Sequence, residues 1–210
     1  MRLSPSEFDG FIADVGQNML WSRSHSCPCL SPTNNPEADC PTCKGMGIFW
    51  ESPSVPCICA LSGVKAKRQW AEFGQWENGD LLIVCPSDSP SFSAGWGDRF
   101  TLADTTESFS TVVVRTGTES VNFYNPVFDA AVYLDGNRNR VSLDPPNLVD
   151  GVLIWPSGAP PSGVRYTLTG RGGPEYYVFN EIPMSRTHHG GSADLPRRIV
   201  LRRLDLFGRQ

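Results

Sequence analysis

The sequence predicts a mainly β fold: an antiparallel β-barrel or sandwich with an N-terminal helix and a Cys-rich loop. Three observations carry that expectation. From about residue 64 onward, short apolar runs alternate with turn residues at intervals of roughly 8 to 15 positions, the rhythm of short strands joined by tight connections. The 210 residues include 20 Gly and 18 Pro, which interrupt long helices and supply turns. Cys27, Cys29, Cys40 and Cys43 lie in a stretch punctuated by Pro28, Pro32, Pro36 and Pro41, with no apolar period of its own.

Taken in order, Ser4-Pro5-Ser6-Glu7 reads as a helix start. Ser4 suits the cap, Pro5 the first turn, and Glu7 the position three after the cap. Phe8, Phe11, Ile12, Val15 and Met19 follow at helical spacing, so residues 1–21 read as a helix with an apolar docking stripe. Gly10 and Gly16 weaken that helix, which leaves packing to hold it. Residues 22–63 read as the Cys-rich loop followed by a hairpin of Gly47-Ile48-Phe49-Trp50 and Val55 to Leu61. Residues 64–210 read as one β-rich barrel or sandwich domain with a C-terminal arm. Its strand candidates are 81–84, 98–102, 110–115, 120–123, 130–134, 152–155, 165–169, 175–179 and 198–202, with a tight turn at Asp135-Gly136-Asn137.

The cysteines carry the strongest chemical signal. Cys40-Pro41-Thr42-Cys43-Lys44-Gly45-Met46-Gly47 has the form of a zinc knuckle: two thiolates three positions apart grip one cation, and glycine lets the chain turn back beneath them. Three readings compete. Cys27, Cys29, Cys40 and Cys43 bind one structural zinc; or Cys57 and Cys59, which alternate as on a strand, replace Cys27 and Cys29; or no metal binds and the thiols are buried apolar groups or partly oxidised. The first leads, although Cys27-Pro28-Cys29 departs from the usual two-to-four-residue gap, and His25 is a substitute for one upstream thiolate. Seven cysteines, an odd number, argue against a pure disulfide framework. Cys85 reads as a core residue.

Catalytic signatures are missing. The chain has no His-Glu-x-x-His, no Gly-x-Ser-x-Gly and no phosphate-loop motif. Gly170-Arg171-Gly172-Gly173 precedes Pro174 and a strand, so a β-turn is expected there and not a phosphate cradle. His188 and His189 read as an exposed loop, and Asp98, Asp104 and Glu107 as turn residues. No enzyme is expected. A net charge of −4 argues against general polyanion binding. Arg197, Arg198, Arg202 and Arg203 form the one dense basic cluster, read as ion pairing across a subunit interface in preference to phosphate contact. The apolar ending Leu204-Asp205-Leu206-Phe207 is expected to dock on a neighbour or on the chain's own core. No apolar run approaches the roughly 20 residues of a membrane span, and the first residues lack a signal peptide's apolar stretch, so cytosolic synthesis is expected.

The Cys-Pro-Cys and Cys-Pro-x-Cys-x-Gly-x-Gly pair ahead of a β-rich body resembles tailed-bacteriophage virion proteins of the head and neck. So does the ending: 163–171, Pro174-Glu175-Tyr176-Tyr177-Val178, Leu195-Pro196-Arg197-Arg198 and Asp205-Leu206-Phe207-Gly208-Arg209. The Cys-x-x-Cys-x-Gly-x-Gly unit is also similar to the zinc region of J-domain chaperones, but those repeat it four times and here it occurs once. The phage resemblance implies a head-to-tail connector component of adaptor or stopper type, made in the host bacterial cytoplasm and built into the virion. It implies a homo-oligomeric ring of six or twelve copies, with a portal or adaptor protein and tail proteins as partners. DNA would pass through the channel without sequence-specific binding, and no membrane is involved. The resemblance implies no catalytic residues. A tail-completion or baseplate component is the alternative within that class; a zinc-knuckle nucleic-acid-binding module is the alternative outside it.

Overall fold

The computed structural model describes residues 5–62, 77, 79–117, 119, 121, 123–181 and 195–206. In chain order the elements are α1 (Pro5–Val15), β1 (Gln17–Ser22), β2 (Ser24–Ser26), β3 (Ile48–Trp50), β4 (Val55–Leu61), β5 (Leu81–Cys85), β6 (Arg99–Leu102), β7 (Glu107–Val114), β8 (Phe123–Leu134), β9 (Arg140–Leu143), β10 (Asn147–Val149), β11 (Val152–Ile154), β12 (Arg165–Glu181) and β13 (Arg197–Arg203). They fall into two compact units: Met1–Asp104 with Glu175–Gln210, and Thr105–Pro174. The single domain expected over 64–210 is therefore divided.

The first unit is a closed six-stranded antiparallel barrel. β1 pairs with β4, β4 with β5, β5 with β13, β13 with the second half of β12, β12 with β6, and β6 with β1 again. Closure follows from alternation, since every strand has one face that must leave water. Each strand contributes two residues to one buried cluster: Met19 and Trp21, Cys57 and Cys59, Ile83 and Cys85, Phe100 and Leu102, Tyr176 and Val178, Ile199 and Leu201. Burying each large apolar side chain contributes about 1.5–3 kcal/mol. The interior is thus filled by the protein's own side chains.

The helix ends at Val15, short of the expected 1–21. Gly16 sets the break. A Cβ there would lie 2.5 Å from both the Ile12 carbonyl oxygen and Ile58 Cγ2, so glycine alone lets the chain swing from the helix into β1. Met19 then follows the two-residue period of β1. The expected docking stripe is also corrected: Ile12 is buried, whereas Phe11 and Val15 are 62% and 53% exposed. The hairpin expected of 47–50 with 55–61 does not form. β3 pairs with β2, and β4 with β1 and β5.

In the second unit, the first half of β12 lies between β7 and β8, and β9 pairs with β8. β10 and β11 form a separate ribbon. The core joins Phe109, Phe128, Ala131, Leu153, Tyr166 and Leu168. Gly170–Gly173, expected as a turn, is instead part of β12. A Cβ on Gly170 would stand 2.2 Å from the Val127 carbonyl oxygen, and one on Gly172 2.8 Å from Phe123 Cβ. These glycines mark close backbone approach at irregular register with β8. The Asp135 turn forms as expected, with the Arg138 N–H donating to the Asp135 carbonyl at 2.9 Å.

Candidate metal centre

β2 and β3 form a short ribbon that delivers both halves of the Cys-rich loop. Ser24 pairs with Trp50, His25 with Phe49 and Ser26 with Ile48. The ladder runs on into the first ligand, where the Cys27 N–H donates to the Gly47 carbonyl at 2.8 Å. Pro28 then occupies the first corner of a turn closed by the Leu30 N–H on the Cys27 carbonyl at 3.0 Å. This turn makes the one-residue Cys27–Cys29 gap workable, because it folds both sulfurs to one side. On the other half, the Lys44 N–H donates to the Cys40 carbonyl at 2.8 Å and the Met46 N–H to the Cys43 carbonyl at 2.9 Å. Lys44 and Gly45 take φ values of 50° and 80°. The reversal under the sulfurs that the glycine spacing predicts is therefore present. Between the halves, Ser31 organises a turn: the Asn34 N–H donates to its carbonyl and the Asn35 N–H to its hydroxyl.

The four sulfurs of Cys27, Cys29, Cys40 and Cys43 all lie within 4.8 Å of one another. Cys27 and Cys40 are 3.7 Å apart, and Cys29 and Cys43 3.5 Å. Zn–S bonds of about 2.3 Å place tetrahedral sulfurs about 3.8 Å apart, so the donor set fits a tetrahedral zinc. Cys27, Cys40 and Cys43 are buried, with Cys29 and Phe49 packed against them. The backbone N–H groups of Cys43 and Thr42 point at the Cys40 sulfur and lower its pKa to about 7. Burial, ahead of the neighbouring thiols, pushes Cys29 up to about 12. Cys27 is also raised: the Cys29 N–H opposes this, but burial and the Cys40 and Cys43 thiols prevail. The Cys43 and Thr42 N–H groups make Cys40 a natural point of capture, and loading the metal displaces protons from thiols that still hold them. Affinity therefore falls as pH falls. With all four positions taken by protein, the group supplies a cross-link and no open site for substrate.

The remaining cysteines belong elsewhere. Cys57 and Cys59 face the same way, as alternation predicts, but into the barrel. There Cys59 lies 3.6 Å from the Cys85 sulfur and 3.5 Å from Ser91 Oγ. The hydrogen bond that the Cys57 thiol donates to Cys59, followed by burial, raises Cys57. Cys59 is held at about 12: its contact with Cys57 opposes the rise, and Cys85 and burial outweigh it. They are core groups and do not join Cys40 and Cys43. His25 is not a substitute ligand either, since its Nε2 pairs with Glu51 Oε1 at 2.8 Å.

Asp98 has a role that the sequence did not reveal. Its carboxylate accepts from Trp21 Nε1 at 3.0 Å, the Gly95 N–H at 2.9 Å, the Ser24 N–H at 2.7 Å and Ser24 Oγ at 2.9 Å. With Trp50 Nε1 donating to the Gly97 carbonyl at 2.8 Å, it ties the β2–β3 ribbon to the barrel. No local pattern could have signalled it, because Trp21 and Ser24 lie more than 70 positions away. The basic cluster is used within the chain. Arg202 is bidentate to buried Asp80, and Arg197 donates to Glu181 and to the Phe92 and Ala94 carbonyls. The interface pairing expected of these two is thereby corrected. Arg203 contacts Asp205 at 3.2 Å, and Leu204 is buried on the chain's own core. His188, His189 and Phe207 lie outside the described residues. No helix among the described residues is long and apolar enough to cross a membrane. No protein-family model matches the chain, and no curated protein matches it.

Proposed function

We propose that this chain is a non-catalytic assembly protein, a component of the head-to-tail connector of a tailed-phage virion. The observation that carries the reading is the S4 cluster on its ribbon: a site whose four donors all come from the protein fixes a shape and offers no position for chemistry. The filled barrel supports the same view, as do exposed apolar strand residues such as Val127, Leu134 and Ile154, which suit burial against neighbours. In this role the knuckle presents a rigid loop to an adjacent subunit. Identical copies form a ring of six or twelve between portal or adaptor and tail proteins. The net charge of −4 keeps the wall from gripping DNA that passes through. A tail-completion or baseplate position is the alternative within the same class. The internal partners of Arg197 and Arg202 weigh against the nucleic-acid-binding alternative.

Light scattering of the full chain, alone and mixed with purified portal and tail components from the same genome, tests the proposal. A closed oligomer, or co-assembly with one of those components, is expected. A monomer with no affinity for any of them, or tight salt-dependent DNA binding, would overturn it.

A further inference from the structure

β7 is an edge strand of the Thr105–Pro174 unit, and its one neighbour among the described residues is β12. The Arg115 N–H donates to the Val164 carbonyl at 2.9 Å, which fixes the ladder's phase. Odd-numbered residues of β7 face β12. The N–H and C=O groups of Ser108, Ser110, Val112 and Val114 therefore point to the opposite edge. Proteins commonly guard such edges with charge, proline or a bulge. From Ser108 to Val114 the strand reads Ser-Phe-Ser-Thr-Val-Val-Val, with no charge, no proline and no register shift against β12. Its outer face is open, Val112 being 55% and Val114 45% exposed.

We propose that β7 pairs with β7 of a second copy of this chain, antiparallel about a two-fold axis through Thr111. Phase and charge select this register. Only even-numbered residues can bond across the new edge, so the two-fold passes through a residue position, and the registers that overlap most of the strand centre on Ser110, Thr111 or Val112. Centred on Thr111, Ser110 bonds Val112 of the second copy and Ser108 bonds Val114, each pair occurring twice. Glu107 then stands opposite Arg115 at both ends. Centred on Ser110 or Val112, these charges face Thr105, Val113, Phe109 or Gly117 and find no opposite charge. Arg115 already donates to Glu119 through Nη1, and a guanidinium has further donors for a second carboxylate. The pairing joins two four-stranded sheets into one and covers exposed valines with the serines of the other copy. It closes on itself, so it is separate from the head-to-tail contacts of a ring and does not rest on the virion reading.

Sedimentation equilibrium of the full chain tests it at concentrations up to about 100 μM, where a weak edge contact is still populated. A species of twice the 23.1 kDa chain mass is expected. Ser110→Lys with Val112→Lys sets like charges opposite each other and weakens the pair by at least about tenfold. Ser110→Glu with Val112→Lys sets opposite charges there and retains the dimer. Both variants alter exposed outer-face positions, and circular dichroism checks that the fold persists. A wild-type monomer, a dimer or larger oligomer indifferent to the double lysine change, or a dimer lost equally in both variants would overturn the proposal.

Discussion

Cys43 and Cys59 are both fully buried, yet only Cys43 is placed among sulfurs that can hold a cation. Cys43 belongs to four sulfurs spaced for a tetrahedron. Two backbone N–H groups already stabilise charge on its neighbour Cys40. Cys59 sits among apolar side chains and two other thiols, where Cys85 and burial outweigh the contacts that favour an anion. Cys43→Ser is therefore expected to reduce bound zinc from about one equivalent to near none, whereas Cys59→Ala keeps the metal and costs about 1 kcal/mol of barrel packing. Elemental analysis of freshly reduced protein beside urea unfolding checks the pair. Zinc lost in Cys59→Ala and retained in Cys43→Ser would reverse the assignment. The Cys40–Cys43 half was legible because knuckle chemistry is local: two ligands and a glycine turn span eight residues. Which second pair joins them was not, because Cys57 and Cys59 carry the same alternation whether they face a metal or a core.

At the level of elements, the knuckle and the barrel are separate clusters joined by the β2–β3 ribbon, Asp98 and Trp50. A loop as long as that between β2 and β3 is costly to order without a cross-link, and the metal supplies one. Removing zinc with a chelator is expected to raise amide exchange across residues 27–47 and leave β1, β5 and β13 protected. Hydrogen exchange read by mass spectrometry decides this, and loss of protection throughout the barrel would show that the two clusters are one cooperative unit. The β2–β3 ribbon went unread because three-residue strands carry no periodic signal. The sequence did show that 48–50 is extended, but its partner lies across the whole Cys-rich loop.

At the scale of the molecule, β12 is the element on which both units depend. Its first half pairs with β7 and β8, its second with β6 and β13. Gly170 is where a side chain is least tolerable, since the neighbouring group is backbone and cannot rotate away. Gly170→Val is expected to destabilise the chain by about 3 kcal/mol or more, whereas the same change at Gly136, with no atom within 4 Å of its added Cβ, costs about 1 kcal/mol or less. Thermal unfolding of the two variants checks the contrast, and equal losses would refute it. The alternating runs and turn residues of this chain determine by themselves a mainly antiparallel β protein, a helix start near Pro5 and a knuckle motif at Cys40–Cys43, because hydrophobic period and turn chemistry act over a few residues. The tertiary structure decided that Met19 turns inward on a strand, that 165–181 is one strand across a run of glycines, and that Cys27 and Cys29 complete the site while Cys57 and Cys59 fill a core. Each of those outcomes depends on which distant backbone a residue meets when the barrel closes, and no local pattern encodes that.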